Sequence, residues 1–322
     1  MTKSFSILGS TGSIGLATLD IISKTKNSKN INILSANKNY RLICKQILKF
    51  KPKFFIINDK LTYDKVKKKF KKKKIRILNS FESINLKKKS NITVSAIPGI
   101  QGLEPTLKLI KLSKKILIAN KESVICGWSL IKKKAKENQT KVIPVDSEHF
   151  SIFKLLKGKN LTTVKKVYIT ASGGPFLNLK LKNFKKIDPQ DALKHPKWKM
   201  GKKITVDSST LMNKILEIIE ANKLFNISLN KLDILIHPNS LVHAIVEYKN
   251  GISEFIYHKT SMLIPLANAL LGDEINIKDY LKSKNNDKYF FENLSFRPVN
   301  KKIFPVINLK NRINEYPSTP II

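Results

Sequence analysis

Ser4-Phe5-Ser6-Ile7-Leu8-Gly9-Ser10-Thr11-Gly12-Ser13-Ile14-Gly15-Leu16 sets the architecture of the chain's first part. Ser4 to Leu8 reads as a short buried strand. Leu16, Leu19, Ile21 and Ile22 fit one face of a helix. Strand, glycine turn, helix is the setting in which a glycine fingerprint binds a dinucleotide. Glycines let the backbone approach a pyrophosphate, and the helix N-terminus supplies N–H donors. A tight strand-to-helix turn without a ligand has the same local pattern.

The next strand, Ile31 to Ala36, sharpens the reading. An NAD site wants an acid at its end, about 20 residues past the glycines, to hold the ribose 2′-hydroxyl. No acid lies between Asn30 and Arg41, and Asn37-Lys38-Asn39 stands there instead. A cation and two amides suit a 2′-phosphate, so NADP is favoured over NAD. Further strands are expected at 54–57, 75–78, 92–96 and 116–119, separated by helical or lysine-rich stretches. That alternation implies a parallel α/β sheet. The lysine runs at 67–69, 71–74, 87–89 and 132–134 read as solvated faces and loops.

The second part carries acids and anion-binding turns. Val142 to Asp146 reads as a strand ending in Asp146-Ser147-Glu148-His149. Period-two geometry puts Asp146 and Glu148 on one side, where two carboxylates can chelate a hard divalent cation. Capping of a helix from Phe150 to Leu156 by Asp146 or Ser147 is the plain alternative. Thr170 to Phe176 is a second glycine turn, whose Ser172 and backbone N–H groups suit an anion or simply make a turn. His195 to Gly201 holds Trp198 and Met200 and reads as a lid or a surface loop. Ser208 or Ser209 is expected to cap a helix starting near Thr210. Asn213, Lys214 and Glu217 then share one face, as a phosphate-plus-metal site or as a Lys214–Glu217 salt bridge.

Composition narrows the classes. The chain has 322 residues, enough for about two domains. Apolar residues make up 42%, too rich for disorder. No run of about 18 apolar residues appears, so no membrane span is expected. Basic residues number 61 against 23 acidic, a net charge of +38. Such a field favours anionic partners. Arginine occurs only at 41, 76, 297 and 312, whereas base-reading surfaces lean on arginine. The lysines are spread along the whole chain, together with excess isoleucine and asparagine, which reads as coding bias rather than a nucleic-acid site. Cys44 and Cys126 are too few for a disulfide framework or a zinc site, and a reducing, cytoplasmic setting is expected.

Taken in order, seven blocks resemble the 1-deoxy-D-xylulose 5-phosphate reductoisomerases, which serve the non-mevalonate isoprenoid pathway. They are Gly9 to Gly15, Ala119 to Ser123, Pro144 to His149, Thr170 to Phe176, His195 to Gly201, Val206 to Ala221, and Ile236 through Val246. The resemblance implies an N-terminal Rossmann-like NADP-binding domain followed by an α/β catalytic and dimerisation domain. It implies NADPH and Mg²⁺ or Mn²⁺ as cofactors, a small phosphorylated sugar as substrate, no specific nucleic acid, no membrane, and a homodimer.

By the same resemblance, Gly9, Ser10, Thr11, Gly12, Ser13 and Ile14 match the pyrophosphate loop. Asn37, Lys38 and Asn39 fall on the 2′-phosphate side. Asn120, Glu122, Gly201 and Met262 also fall near the cofactor. Asp146, Glu148 and Glu217 match the metal ligands, and with Lys121 form the catalytic set. Lys121, Ser147, Glu148 and Glu217 match groups around the substrate's reacting oxygens. Ser172, Ser208, Asn213 and Lys214 match the phosphate site, with His195 beside it and Trp198 and Met200 in the lid.

Departures from the family pattern stand at Asn37, at Pro98 to Gly102 and at His258-Lys259-Thr260-Ser261, where the family reads Gly-x-Pro-Asp. The family also continues past a segment like Ser318 to Ile322 into a helical bundle. The resemblance therefore implies an NADPH domain at 1–140 and a catalytic domain at 141–275. Residues 276–322 become a linker leading to an absent helical bundle, with Tyr289 to Pro317 left little to pack on. Three other readings stay in view: an inactive homologue, a basic nucleic-acid-binding protein, and an NADP-linked dehydrogenase using an activated cysteine. Cys126, between Ile125 and Gly127, has no base nearby in sequence.

Overall fold

The computed structural model describes residues 3–26, 30–194, 201–272, 275–280 and 294–315. The chain divides into two compact units, Met1–Asp146 with Pro265–Lys282, and Ser147–Ile264 with Ser283–Ile322.

In the first unit seven strands form one sheet. They are β1 Phe5–Leu8, β2 Ile31–Ala36, β3 Phe54–Ile57, β4 Arg76–Leu78, β5 Ser90–Ser95, β6 Ser113–Ile118 and β7 Lys141–Pro144. Their order is β4-β3-β2-β1-β5-β6-β7, and every pairing is parallel. The sequence demands this arrangement. All residues of β1, β2 and β3 are buried, as strands covered on both faces must be. Helices α1 Ser13–Ser23, α2 Tyr40–Phe50, α3 Lys60–Lys69, α4 Leu103–Ile110 and α5 Lys121–Glu137 make the crossovers.

Buried polar residues inside this sheet pair with one another. Ser6 and Ser90 share a 2.7 Å hydrogen bond, and Asn32 Nδ2 donates to Ser90 Oγ at 2.9 Å. Strand order reverses between β1 and β5, so the crevice at the carboxyl end of β1 is the place where such a sheet binds ligands.

The second unit holds a mixed sheet, β11-β10-β8-β9-β12. Its strands are β8 Val164–Ala171, β9 Leu232–Ile236, β10 Val242–Tyr248, β11 Ser253–Tyr257 and β12 Arg297–Pro298. β8 and β9 run parallel; β10 is antiparallel to β8 and β11. Helix α6 Ser147–Leu155 packs on β10 and β11, and α9 Met212–Phe225 packs on β8 and β9. Two shorter helices, α7 Pro189–Ala192 and α8 Lys202–Ser209, precede α9. None of the helices among the described residues is long and apolar enough to cross a membrane.

Several local expectations need correcting. Ser208 and Ser209 do not cap the helix after them; they end α8. Leu211 then takes a left-handed conformation, φ +63°, and α9 starts at Met212 with no side-chain cap. An apolar residue stands in that costly conformation because Leu211 is itself buried, so packing overrides local preference. Asp146 and Glu148 are not two positions of one strand. β7 ends at Pro144 and α6 already begins at Ser147, so a turn brings the two acids together.

The stretch read as a linker also packs. Arg297 and Pro298 pair with Ile236 and Leu235, and His237 stacks on Phe296 at 4.7 Å. Phe304 is buried, and the 3₁₀ segment Pro305–Glu315 lies against α9. Helix α10 Leu263–Leu271 begins a return of the chain to the first unit, with Leu266, Ala267 and Leu270 buried.

Phe304→Ala is expected to destabilise the second unit by about 3–5 kcal/mol, the cost of emptying a buried aromatic site. Denaturant unfolding of the full chain reads this, and a loss below about 1 kcal/mol would return the segment to the status of a linker.

Candidate active site

At the end of β1 the backbone has little freedom. Gly9 has φ +76°, and a Cβ there would meet the Ala96 carbonyl oxygen at 2.6 Å. A Cβ on Gly15 would lie 2.2 Å from the Gly9 oxygen, so the helix presses on the turn. A Cβ on Gly12 would meet only the Gly9 oxygen, at 3.4 Å, which leaves this side open for a ligand. Gly12 is the N-cap of α1 without a side-chain cap, and no acid stands in the first turn. An uncapped, acid-free helix start behind an open glycine fits a pyrophosphate. Thr11, Ser13 and Ile14 belong to this opening.

Ser10 is different. It is buried, and its hydroxyl donates to Gln46 Oε1 at 2.7 Å while Gln46 Nε2 donates to the Ser10 carbonyl at 2.8 Å. Ser35 Oγ accepts from Gly9 N–H at 3.1 Å. Ser10 thus anchors the turn to β2 and α2. Sequence reading passed over Gln46, although a polar residue sits there on a helix face shared with buried Ile43, Ile47 and Phe50.

Asn37, Lys38 and Asn39 are exposed at the end of β2. Asn39 spends its carbonyl oxygen capping α2, accepting from Leu42 N–H at 3.2 Å. Its amide nitrogen, the Asn37 amide and the Lys38 ammonium are side-chain donors at this edge. Asn120 is almost fully engaged: its side chain caps α5 by accepting from Ser123 N–H at 2.6 Å and donates to the carbonyls of Ile97 and Gly99. It fixes the Pro98–Gly99 turn. Lys121 and Glu122 open α5 beside it.

The second constellation is acidic. One carboxylate oxygen each from Asp146, Glu148 and Glu217 lies within 4.8 Å of the others. Three hard oxygen donors at this spacing fit a Mg²⁺ or Mn²⁺ ion. Lys214 Nζ donates to Glu148 Oε1 at 2.5 Å and to Glu217 Oε2 at 2.8 Å. Asn213 Nδ2 donates to Glu217 Oε1, and Ser147 Oγ to Glu148 Oε2 at 2.6 Å. Lys121 Nζ stands 3.8 Å from Asp146 Oδ2. The Glu217 side chain is 2% exposed and that of Lys214 10%. Burial by itself pushes the Lys214 pKa down, but the charges and hydrogen bonds of Glu148 and Glu217 outweigh it and hold the ammonium above the ordinary lysine range.

The Lys214–Glu217 salt bridge, one of the two sequence readings, is therefore present together with the acidic cluster. His149 braces both helices: its Nε2 lies 3.0 Å from the Glu217 carbonyl oxygen, which can only accept, and its Nδ1 lies 3.4 Å from Glu220 Oε2.

Near Lys214 lies the second glycine turn. Gly173 and Gly174 have φ +88° and +63°, and a Cβ on Gly174 would meet the Ser208 oxygen at 2.9 Å. Ser172 Oγ accepts from Gly174 N–H at 3.3 Å. Leu211 N–H donates to the Ser208 oxygen at 3.3 Å, which joins this turn to the start of α9. Ser172, Ser208, Asn213 and Lys214 are thereby gathered in one region of the second unit. Gly201 caps α8 through its backbone alone, and Met262 just precedes α10. His195, Trp198 and Met200 lie outside the described residues.

Sequence reading also missed a buried pair. His243 and His258 stack with ring centroids 4.0 Å apart. Burial, reinforced by the neighbouring His258, pushes the His243 pKa down to about 3, and burial lowers that of His258 as well.

Residues 5–127 match the family described as 1-deoxy-D-xylulose 5-phosphate reductoisomerase, and residues 142–225 match its C-terminal domain. The reductoisomerase of Pelagibacter ubique (strain HTCC1062) is 47% identical over 316 residues, covering 97% of this chain and 81% of that one. The chain belongs to the 1-deoxy-D-xylulose 5-phosphate reductoisomerase family. A crystal structure of a DOX-P reductoisomerase in complex with NADPH, fosmidomycin and magnesium superposes with a TM-score of 0.84 at 31% identity, covering 96% of this chain and 79% of the other. The Zymomonas mobilis enzyme with NADPH gives a TM-score of 0.83 at 29% identity, covering 98% and 82%.

The histidine pair makes the family fold acid-sensitive in this chain. Between pH about 3 and the ordinary value of 6.5, His243 is neutral when folded and protonated when unfolded. The unfolded chain then binds more protons, so stability falls as pH falls through that window. Thermal unfolding across the window is expected to show a declining Tm, with a shallower slope in His243→Phe. An unchanged slope would assign the acid sensitivity to the carboxylates instead.

Proposed function

We propose that this chain converts 1-deoxy-D-xylulose 5-phosphate into 2-C-methyl-D-erythritol 4-phosphate, by NADPH- and divalent-metal-dependent isomerisation and reduction in the non-mevalonate isoprenoid pathway. The observation that carries the reading is the clustering of Asp146, Glu148 and Glu217 around a buried ammonium. When bound, Mg²⁺ or Mn²⁺ supplies Lewis-acid polarisation of substrate oxygens and NADPH supplies the hydride.

The chain's own residues do the rest. In this reading Asp146, Glu148 and Glu217 fix the cation's place. Lys121, next to Asp146, and Ser147, next to Glu148, present a charge and a hydroxyl to the reacting oxygens. Lys214 and Asn213 bind the phosphate with the hydroxyls of Ser172 and Ser208. Both donors are spent on Glu148 and Glu217 in the ligand-free chain. A divalent cation held by Glu148 and Glu217 would free these donors for a phosphate, so the sugar phosphate should bind more tightly with metal present.

His195 belongs beside the phosphate, and Trp198 and Met200 form the lid. The first unit takes the cofactor. Backbone N–H groups from Gly9 to Ile14 hold the pyrophosphate, and Asn37, Lys38 and Asn39 hold the 2′-phosphate. Asn120, Glu122, Gly201 and Met262 serve the nicotinamide side, Asn120 through the turn that it fixes. We read the protein as a cytoplasmic homodimer joined through the second sheet, whose edge strand β11 leaves Phe255 46% exposed.

The test is NADPH consumption with 1-deoxy-D-xylulose 5-phosphate and Mn²⁺ or Mg²⁺. Turnover should require the metal. Glu148→Gln should lower kcat by more than about a hundredfold, since even outer partners of metal ligands cost up to that much. A folded chain that binds NADPH yet shows no turnover would overturn the reading and leave an inactive homologue.

A further inference from the structure

The turn at Gly9 and Ser10 is held by two ties, and both run to the segment that carries residues 37–39. The first is Ser35, near the end of β2 and just before Ala36 and Asn37. Its carbonyl accepts from Ser10 N–H at 2.7 Å, and its hydroxyl accepts from Gly9 N–H at 3.1 Å. The second is Gln46, on α2, whose N-cap is Asn39. Gln46 Oε1 accepts from the Ser10 hydroxyl at 2.7 Å, and Gln46 Nε2 donates to the Ser10 carbonyl at 2.8 Å. Asn39 and Gln46 stand about two helical turns apart, so they lie on one side of α2. The two ties thus bracket the 37–39 edge, one from the strand before it and one from the helix after it.

Packing alone does not call for an amide at 46. Ile43, Ile47 and Phe50 already seat α2, and an apolar side chain at 46 would bury on the same face. Gln46 and Ser10 are both buried, where an amide is costly unless its groups are paired. What the amide adds is register: two opposed hydrogen bonds to one residue fix the distance and the rotation of the turn relative to α2. The span between turn and edge matters to a ligand that uses both. In the reading given above, the coenzyme's pyrophosphate lies at the turn and its 2′-phosphate at Asn37, Lys38 and Asn39. A ligand held at two points gains from the second only where the spacing of the sites matches its own. NADH has the same pyrophosphate but only a hydroxyl for the second point, and no acid stands after β2 to take that hydroxyl. A turn free to shift against α2 would therefore weaken NADPH more than NADH.

We propose that Gln46 is a positioning residue for coenzyme selection: by tying Ser10 to α2 it sets the span between the pyrophosphate turn and the 37–39 edge to that of NADPH. This rests on the assignment of that edge to the 2′-phosphate. Gln46 acts through Ser10 and α2.

The experiment measures Kd for NADPH and for NADH by fluorescence titration of the full chain, of Gln46→Met, of Ser10→Ala and of the double variant, with Tm for each. Methionine nearly conserves the volume and keeps the apolar contacts. In Gln46→Met, NADPH is expected to bind about tenfold more weakly, the scale of a lost hydrogen-bond pair, and NADH about threefold more weakly or less. Ser10→Ala should lower the preference for NADPH in the same direction. The double variant should lower it no further than Gln46→Met, because both substitutions break the same tie. A merely structural role would weaken both coenzymes alike, so an equal loss, or no loss, would overturn the proposal. If Gln46→Met does not fold, Ser10→Ala decides, and an unchanged preference there would overturn it too. A wild-type chain that binds NADPH no more tightly than NADH would instead overturn the reading of residues 37–39, and the role of Gln46 with it.

Discussion

A buried ammonium between two carboxylates ties α6 to α9 in the second unit. Residues 213–221 of α9 are all buried, because β8 and β9 cover the helix and residues 305–315 lie against it. Such a helix cannot leave charge unpaired, since stranding a buried charge costs several kcal/mol. Lys214 answers by bridging Glu148 on α6 and Glu217 on its own helix. Asn213 uses the remaining oxygen of Glu217. With Asp146 and Lys121 counted, three carboxylates face two ammoniums. The residual negative charge suits a divalent cation, so one arrangement serves both the burial of the helix and the site proposed above.

The first unit solves a different problem by different means. Its glycine turn carries no charged side chain, and what it offers is backbone N–H groups at a helix start. The turn is held from behind by Ser35 and Gln46 and shaped by glycines whose missing Cβ atoms would strike backbone. A cradle made of backbone must be rigid to be specific, because backbone groups cannot adjust by changing rotamer. The reciprocal Ser10–Gln46 bonds serve that end, and the Asn120 clamp does the same for the turn at Pro98–Gly99.

Among the described residues, part of the +38 charge sits on exposed lysine runs. The lysines at 67–69 and 71–74 are exposed, and others form scattered pairs such as Lys165–Glu247 and Lys159–Glu254. Exposed pairs of this kind contribute little to stability.

The order of the fold was legible in the sequence. Short apolar runs such as Phe54–Ile57 suit strands covered on both faces, and glycines at 9, 12 and 15 suit a tight strand-to-helix turn. The missing acid after β2 and the acids at 146, 148 and 217 were legible too, since they depend on residue type and spacing. Only the tertiary structure decided which of these groups meet. Glu148 and Glu217 are far apart in sequence, and Lys214 joins them because α6 and α9 both pack on one sheet. Leu211 in a left-handed conformation, Gln46 on the cradle and His258 against His243 could not be read from local pattern. Leu211 breaks a local preference, and all three are set by packing against residues that local propensity does not encode.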